Sequence, residues 1–204
     1  MLLDKLKVYR VILASKSPRR RELLKGMGID FEVCASDSEE RINPEWQPSD
    51  LVCRLARQKA EPVFQRHAGE GSRPLLVIGG DTVVVCGGRV LGKPEGEEDA
   101  VRMLCSLSGR THKVYSGLCV LTDRLCLVDS DCSEVTFDKL PPEDVSYYVR
   151  HYRPLDKAGA YGVQDWIGYR GISHLEGSFY NVMGLPTHLL WRMLEVACGR
   201  DSGL

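Results

Sequence analysis

Residues 11–24 read VILASKSPRRRELL, and this stretch decides how the chain begins to fold. The apolar run at its start is typical of a buried β-strand, which we expect from Tyr9 to Ala14. Pro18 suits the first position of a helix, because its ring presets φ and no N–H is needed there. Ser17 is a suitable N-cap. The stretch therefore predicts a strand followed directly by a helix that runs to about Lys25.

The start of this helix carries three arginines, at positions 19–21. Cations are the unfavourable sign at the positive end of a helix dipole. Free N–H groups, serine hydroxyls and guanidiniums together are the groups that bind a phosphate or polyphosphate. A solvated basic turn with an ordinary serine cap is the alternative, and the local sequence leaves both interpretations open.

The composition limits the class of protein. The chain has 204 residues and a formal net charge of −1. This length fits one large domain or two small lobes with an ample apolar core. The even charge balance argues against nucleic acid as a partner, and no apolar run approaches the length of about 20 residues that a membrane span needs. The N-terminus is too mixed in polarity for a signal peptide.

The eight cysteines follow neither a C-x-x-C spacing nor a zinc pattern with the histidines. Most of them lie in apolar runs, such as Leu118-Cys119-Val120. This pattern predicts reduced, buried, structural thiols in a cytoplasmic protein rather than a disulfide framework.

A carboxylate interrupts the second apolar run, residues 75–86, which reads LLVIGGDTVVVC. Burial of an unpaired carboxylate is costly, so Asp81 needs a cation, a metal or hydrogen-bond donors. Gly79 and Gly80 before it predict a bulge or a close approach of another backbone. An aspartate in a turn between two strands is the alternative, but the flanking apolar runs favour a functional acid.

Two lysines are candidate functional cations. Lys59 lies on the apolar stripe of a predicted helix, so its ammonium either enters a cleft or snorkels to solvent. Gly87-Gly88 predicts a tight hairpin turn, whose register brings Lys93 close to Asp81. Lys93 would then form a simple ion pair or bind a phosphate beside a metal carboxylate.

The rest of the pattern alternates strands and helices early and forms antiparallel hairpins later, which predicts an α/β fold with a mixed sheet. The acidic cluster Asp37, Glu39 and Glu40 is typical of a solvated loop. A role in metal binding would need a further carboxylate from elsewhere in the chain. We expect residues 198–204 to form a domain edge or the start of a linker. The other predicted elements are a strand at 31–35, a helix capped by Ser49 or Asp50, a helix ending near 109, strands at 113–122 and 125–137, a helix at 141–152, a hairpin of 172–175 with 179–183, and a helix at 186–196.

The basic and acidic candidates fall near the ends of predicted elements. The basic centres are Arg19 with Arg20, Lys59 and Lys93, and the acidic ones are Glu40 and Asp81. In such a set the cations hold polyphosphate, and the acids hold a divalent ion or activate water. The residues alone therefore favour a metal-assisted reaction of a phosphate compound.

Seven short segments also resemble the Maf family, in the same order and over nearly the whole chain. They are Ser15-x-Ser17-Pro18-Arg19-Arg20, Arg57-x-Lys59-Ala60, Gly79-Gly80-Asp81-Thr82, Gly92-Lys93-Pro94, Leu107-Ser108-Gly109-Arg110-Thr111-His112, the run 156–164 (DKAGAYGVQ) and Val182-Met183-Gly184-Leu185-Pro186. Gly80 stands where this family more often has alanine.

This resemblance implies a house-cleaning nucleotide pyrophosphatase. Such an enzyme cleaves nucleoside triphosphates between the α and β phosphates with a divalent metal (Mg, Mn or Co), giving the monophosphate and pyrophosphate. The implied structure is one domain over residues 1–204 with an elongated, two-lobed, Maf/ITPase-like α/β fold, a central twisted mixed sheet and a cleft between the lobes. The resemblance also implies a homodimer. The composition and the tail resemble Maf-like domains that are fused to a C-terminal methyltransferase-like region.

The resemblance further implies roles for individual residues. The catalytic positions are matched by Asp81, Lys59 and Lys93. Metal would be held by Glu40, for which Glu39 is the alternative, together with Asp81. The phosphate-binding positions are matched by Ser15, Ser17 and Arg20. The positions tied to base choice are matched by Arg19, Thr82 and Gln164. This set resembles the subfamily that prefers dTTP and UTP, including modified pyrimidines, to 7-methyl-GTP.

Two other classes of function remain open from the sequence. In the first, the domain is a nucleotide-binding or regulatory module without turnover, although every catalytic residue type is present. In the second, it is a partner-binding module linked to cell division, although no exposed amphipathic stripe or charge block calls for one.

Overall fold

The computed structural model describes residues 1–35, 43 and 45–200. The helices within this range are α1 (Leu2–Leu6), α2 (Pro18–Gly26), α3 (Pro48–His67), α4 (Glu97–Leu107), α5 (Pro142–Tyr152), α6 (Trp166–Gly171), α7 (Phe179–Met183) and α8 (Thr187–Arg200). The strands are β1 (Arg10–Ala14), β2 (Glu32–Val33), β3 (Leu75–Cys86), β4 (Arg89–Leu91), β5 (Thr111–Leu121), β6 (Cys126–Phe137) and β7 (Ile172–Glu176).

The strands form one mixed sheet in the order β2-β1-β3-β5-β6-β7, with β4 paired to β3. β1 is parallel to both of its neighbours, and its register places Ala14 opposite Gly79 on β3. The β3–β4 and β6–β7 pairs are antiparallel. The prediction of an α/β fold with a mixed sheet is therefore confirmed.

The first strand and helix form as residues 11–24 predict. β1 ends at Ala14, and α2 begins at Pro18 in the first helical position. Ser17 is the N-cap, and its Oγ accepts a hydrogen bond from the Arg20 N–H at 3.4 Å. A cap of this kind satisfies one of the N–H groups that the first helical turn leaves without a partner.

The chain divides into two compact units. The first unit consists of Met1–Asp81, Ser116–Asp131 and Gly184–Leu204. The second consists of Thr82–Tyr115 and Cys132–Met183. Asp81 is thus the last residue of its segment in the first unit, and Thr82 is the first residue of the second.

The core of the first unit lies where α3 packs on the sheet. Ala56, Ala60 and Val63 of the helix lie in one buried cluster with residues of β1, β3 and β5. Two glycines allow this close approach. A Cβ at Gly79 would lie 2.2 Å from the Ala56 carbonyl oxygen, and a Cβ at Gly117 would lie 2.4 Å from that of Val52. The backbone of α3 therefore rests directly on β3 and β5.

The core of the second unit is built around α4 and α5, which pack against each other. Both helices bury an apolar face, as their sequence periodicity predicts. α5 spans the predicted residues, and the fully buried Tyr148 lies on it. The buried side chains of the two helices are Ala100, Leu104, Leu107, Val145, Tyr148 and Val149.

The predicted hairpin of 172–175 with 179–183 is wrong in its second half, because Phe179–Met183 is the helix α7. Ser178 starts this helix, since its Oγ accepts a hydrogen bond from the Asn181 N–H at 3.3 Å. The Asn181 amide is buried and donates to the Val114 carbonyl and to Ser133 Oγ. The apolar residues of this segment are compatible with a strand. The long-range bonds of Asn181 favour the helical turn instead.

Smaller differences concern helix ends. α3 begins at Pro48, not at a cap on Ser49 or Asp50, because the proline takes the first helical position and Gln47 precedes it without a side-chain cap. The final helix extends to Arg200 rather than to Val196, and it buries Cys198. The sequence pattern did not predict α1 and α6, which are only 5 and 6 residues long.

All eight cysteines are free, as predicted. The expectation that most are buried is wrong, because only Cys86, Cys119 and Cys198 are buried, whereas Cys105, Cys126 and Cys132 are exposed. Strand alternation explains the exposed pair on β6, since an apolar run does not decide which face of a strand a residue takes. None of the described helices combines the length and apolar composition that a membrane crossing requires.

Candidate active site

Asp81 lies inside the continuous strand β3, so the alternative of a turn between two strands is wrong. Its Oδ1 accepts a hydrogen bond from the Nζ of Lys59, which comes from α3. The two side chains are only 13% and 21% exposed. The need of this carboxylate for a cation is therefore met by Lys59, which points to Asp81 instead of snorkelling to solvent.

The position of Lys59 follows from the packing of α3. Gly79 lets the helix backbone approach the strand two residues before Asp81. Ala56 and Ala60, one turn apart and beside Lys59, carry the small side chains that this approach requires. The side chain of Lys59 is thus carried to Asp81 by a helix that the sheet holds at close range.

The loop between β1 and α2 is built by hydrogen bonds of Ser15 and Arg20. Ser15 Oγ accepts from the Ser17 N–H at 3.2 Å and from Arg20 Nη1 at 3.4 Å. Arg20 Nε donates to the Gly184 carbonyl oxygen at 2.8 Å, and the arginine is only 8% exposed. Arg20 therefore joins the start of α2 to the segment 182–186, while Arg19 beside it is half-buried.

This loop and the ion pair both lie beyond the carboxyl end of β1. β1 ends at Ala14, opposite Gly79 of the parallel strand β3. Ser15 therefore follows β1 directly, and Asp81 lies two residues beyond Gly79 on β3, which continues to Cys86. A Cβ at Gly80 would lie 3.2 Å from Arg20 Nε, which places the guanidinium against the residue before Asp81. Ligands of open α/β sheets bind beyond the carboxyl ends of parallel strands.

The remaining candidates lie in the second unit. The β3–β4 pairs, from Cys86 opposite Arg89 to Val84 opposite Leu91, confirm the predicted hairpin register. Lys93 follows the last of these pairs and is exposed. The structure pairs Asp81 with Lys59. The expected approach of Lys93 to Asp81 stays a prediction.

The run 156–164 lies beside the segment that carries Lys93. The Gly159 N–H donates to the Gly92 carbonyl at 3.0 Å. Gly159 has a φ of +67°, and a Cβ there would lie 2.9 Å from the side chain of Val84, so glycine is required twice over. Two of the segments that resemble the Maf family are therefore neighbours in the second unit.

Gln164 ends this run and is half-buried. Its Oε1 is buried, and no donor to it is present among the residues that the structure describes. A buried amide oxygen without a donor is costly. Gln164 Oε1 is therefore an acceptor that an additional N–H donor could satisfy. Thr82, the other second-unit candidate for base choice, is also half-buried.

His112 belongs to a motif segment but has a structural environment. It is 2% exposed, it stacks on Phe137, and its Nε2 lies 2.7 Å from the hydroxyl of Tyr161. Burial lowers the pKa of His112 to about 4 and raises the pKa of the Tyr161 hydroxyl. A neutral, buried imidazole that supports the run 156–164 explains why histidine stands at this position.

The predicted metal ligand Glu40, its alternative Glu39 and Asp37 lie outside the described residues. Within the described ranges, no group of three or more His, Cys, Asp or Glu side chains could hold a metal ion. Of the two predicted metal ligands, Asp81 lies within the described residues, and its carboxylate is partly exposed. This donor fits Mg²⁺, which commonly binds one or two carboxylates together with substrate phosphates and water.

The sequence did not single out Tyr148 and Asp165, whose side chains contact the run 156–164. The Tyr148 hydroxyl donates to Asp165 Oδ2 at 2.7 Å and accepts from the Gly162 N–H at 3.1 Å. The local sequence pattern could not reveal these contacts, because it predicts Tyr148 only as an ordinary core residue of α5.

Comparisons with known proteins identify relatives of this chain. Residues 10–197 match the family model described as Maf-like protein. A dTTP/UTP pyrophosphatase of Porphyromonas gingivalis is 48% identical over 195 residues, which cover 95% of this chain and 97% of that protein. The dTTP/UTP pyrophosphatase of Bacteroides thetaiotaomicron is 44% identical over 95% of this chain and 99% of its own length.

Among solved structures, a nucleoside-triphosphatase (dITP/XTP pyrophosphatase) from Mycobacterium abscessus aligns over 94% of both chains, with 15% identity and a TM-score of 0.43. The likeness to Maf-like domains fused to a methyltransferase-like region stays a prediction. The family match spans nearly the whole chain and includes all seven segments, so this chain belongs to the family of Maf-like proteins.

Proposed function

We propose that this chain is a nucleoside triphosphate pyrophosphatase that cleaves dTTP, UTP and modified pyrimidine nucleotides to the monophosphate and pyrophosphate. One observation carries the proposal: the ion pair of Asp81 with Lys59 and the capped, arginine-rich start of α2 both lie beyond the carboxyl end of β1. This region offers a carboxylate that could activate water, together with N–H groups and cations that could bind phosphates. The names of the relatives support the substrate class.

Asp81 is proposed to direct a water molecule toward the α phosphorus and to accept its proton. Lys59 holds the carboxylate in place and is proposed, with Lys93, to offset the charge that builds on the pyrophosphate leaving group. Most of the catalytic gain in phosphoryl transfer comes from such positioning and charge stabilisation.

The start of α2 is proposed to bind the phosphates. Ser17 caps the helix, so its first N–H groups and the hydroxyls of Ser15 and Ser17 lie together at the positive end of the helix dipole. Arg20 is buried and already bonded to Gly184, which fixes its guanidinium for a ligand without further loss of side-chain entropy.

A divalent metal would be held by Asp81 together with Glu40. When bound, it supplies positive charge that polarises the phosphates. The residues that we propose for base choice are Arg19, Thr82 and Gln164. Of these, Gln164 has the buried acceptor that a base N–H could satisfy.

The test is pyrophosphate release from a panel of natural and base-modified nucleoside triphosphates with magnesium, manganese or cobalt. We expect selective release from dTTP and UTP, with the monophosphate as co-product. Orthophosphate as the product would mean that a different bond is cleaved. No turnover from a folded, metal-loaded sample would contradict the proposal and favour a nucleotide-binding module.

The biological role that fits this activity is the house-cleaning of nucleotide pools. Free cysteines, three of them exposed, support the reducing environment of the cytoplasm. A homodimer and a fused methyltransferase-like region stay predictions, which size-exclusion chromatography with light scattering and mapping of the full transcript would test.

A further inference from the structure

Gln164 lies in a tight turn that one backbone hydrogen bond closes. The Asp165 N–H donates to the Gly162 carbonyl at 3.0 Å, which makes residues 162–165 a tight turn with Gln164 in its third position. The backbone of this turn sets the direction of the Gln164 side chain. That direction is fixed only while the turn keeps its conformation.

The hydroxyl of Tyr148 binds both ends of this turn. It accepts from the Gly162 N–H at 3.1 Å and donates to Asp165 Oδ2 at 2.7 Å. Tyr148 is completely buried on α5, and its ring stacks on Tyr152 at 5.1 Å between centroids. A hydroxyl on a rigid, buried ring thus fixes the two residues on either side of the Val163-Gln164 pair.

Two further distances define the position of the Asp165 carboxylate. A Cβ at Gly162 would lie 2.6 Å from Asp165 Oδ2, so only glycine leaves room for the carboxylate to fold back over the turn. Lys157 Nζ lies 3.7 Å from the same oxygen, and the lysine side chain is 13% exposed. The carboxylate therefore lies between a tyrosine hydroxyl and an ammonium, both largely withdrawn from solvent.

We infer that Tyr148, acting through Asp165 and Gly162, is a positioning residue for base selection, because it holds the turn that aims the Gln164 amide at the base. This inference rests on the proposed function, in which Gln164 contacts the base of the nucleotide. Tyr148 itself touches neither the nucleotide nor the reacting atoms, and its effect on the reaction passes through the geometry of the turn.

The test compares Tyr148→Phe with the wild-type chain. The variant keeps the buried ring and removes only the hydroxyl. We expect the ratio of kcat/KM for dTTP to kcat/KM for dGTP to fall roughly fivefold, as the loss of one ordinary hydrogen bond would cause. The change is expected mainly in KM for dTTP, with kcat and the pyrophosphate product retained. The Gly162 amide is expected to exchange its hydrogen faster than in the wild type.

Four further variants sharpen the comparison. Asp165→Asn keeps an acceptor for the Tyr148 hydroxyl and is expected to retain the preference, whereas Asp165→Ala is expected to lose it. The double variant Tyr148→Phe/Asp165→Ala should lose little more than Tyr148→Phe alone, because removal of the hydroxyl already breaks its bond to Asp165. The matched control Tyr152→Phe, on the same helix but 41% exposed, should behave like the wild type.

The outcomes separate this inference from the proposed function. A wild-type chain that releases no pyrophosphate would overturn the proposed function and the inference that rests on it. An active wild type whose base preference changes in Gln164→Ala but not in Tyr148→Phe would overturn the inference alone. Unchanged exchange of the Gly162 amide in Tyr148→Phe would also overturn it, because the hydroxyl would then not hold the turn.

Discussion

The ammonium of Lys59 donates a hydrogen bond to Oδ1 of Asp81, although the lysine lies on α3 and the acid on β3, 22 residues apart in sequence. Neither residue is fully buried, so the pair is accessible to a ligand and yet is screened from bulk water. The close packing of α3 on Gly79 brings the two side chains together. The function and the stability of this unit are therefore linked through one helix–sheet contact.

Asp81→Asn is expected to lower pyrophosphate release by about 10³-fold, because the amide cannot accept a proton from water. The fold should persist, since Asn still offers an oxygen to Lys59. Steady-state turnover and circular dichroism measure the two effects. Glu61→Gln, which changes an exposed carboxylate of α3, is the control and should retain activity. Near-wild-type activity in a folded, uncontaminated Asp81→Asn preparation would exclude the proposed role.

Gln164→Ala is expected to lower the preference for dTTP over dGTP roughly tenfold, because a hydrogen bond to the base is lost. The midpoint of urea unfolding should hardly change, since the buried Oε1 has no donor among the described residues. The kcat/KM values for both nucleotides give the ratio. Gln65→Ala on the exposed side of α3 serves as the control, and an unaltered ratio in Gln164→Ala would count against the assignment.

Gly79→Ala is expected to lower the free energy of unfolding by about 3 kcal/mol, because the added methyl group overpacks the contact with α3. Its Cβ would lie 2.2 Å from the Ala56 carbonyl oxygen. Activity should fall as well, since Lys59 moves with the helix. Urea unfolding measures the stability. Gly26→Ala, where no atom lies within 4 Å of the added group, should change it by less than about 1 kcal/mol. Equal effects of the two substitutions would contradict the packing argument.

Arg20→Lys is expected to lower the free energy of unfolding by about 2 kcal/mol, because one ammonium cannot replace the forked bonds to Gly184 and Ser15. The exposed neighbour offers a matched control, and Arg21→Lys should stay within about 0.5 kcal/mol of the wild type. Both values come from urea unfolding at neutral pH. A fully stable Arg20→Lys protein would show that the bond to Gly184 does not hold the start of α2.

His112 predicts a pH dependence of stability. Burial lowers its pKa to about 4 in the folded state, from 6.5 in the unfolded chain. The unfolded chain therefore takes up the proton first as the pH falls. Stability contributed by the neutral imidazole is full above pH 6.5 and is lost progressively down to about pH 4. The total loss is roughly 3 kcal/mol.

Urea unfolding at pH 7 and pH 4.5 tests this dependence. His112→Gln keeps a hydrogen-bonding side chain beside Tyr161 but cannot titrate, so its stability should fall less between the two values than that of the wild type. His174→Gln, which alters an exposed histidine of β7, should follow the wild type. The same decline in His112→Gln and in the wild type would assign the acid sensitivity to other groups.

The sequence by itself determined the local elements and the identity of the chemistry-bearing residues. The strand and the capped helix of residues 11–24, the hairpin at Gly87-Gly88 and the helix Pro142–Tyr152 follow from periodicity, caps and turn residues, which act over a few positions. The charge within an apolar run likewise marked Asp81, because burial of a lone carboxylate is too costly to be accidental.

Only the tertiary structure decided which distant groups meet. It pairs Asp81 with Lys59, bonds Arg20 to a carbonyl 164 residues away, and turns Phe179–Met183 into a helix instead of a strand. It also places the hydroxyl of Tyr148 on the turn that carries Gln164. These contacts depend on how closely helices pack on strands and on side-chain bonds between segments far apart in sequence, and periodicity carries no information about either.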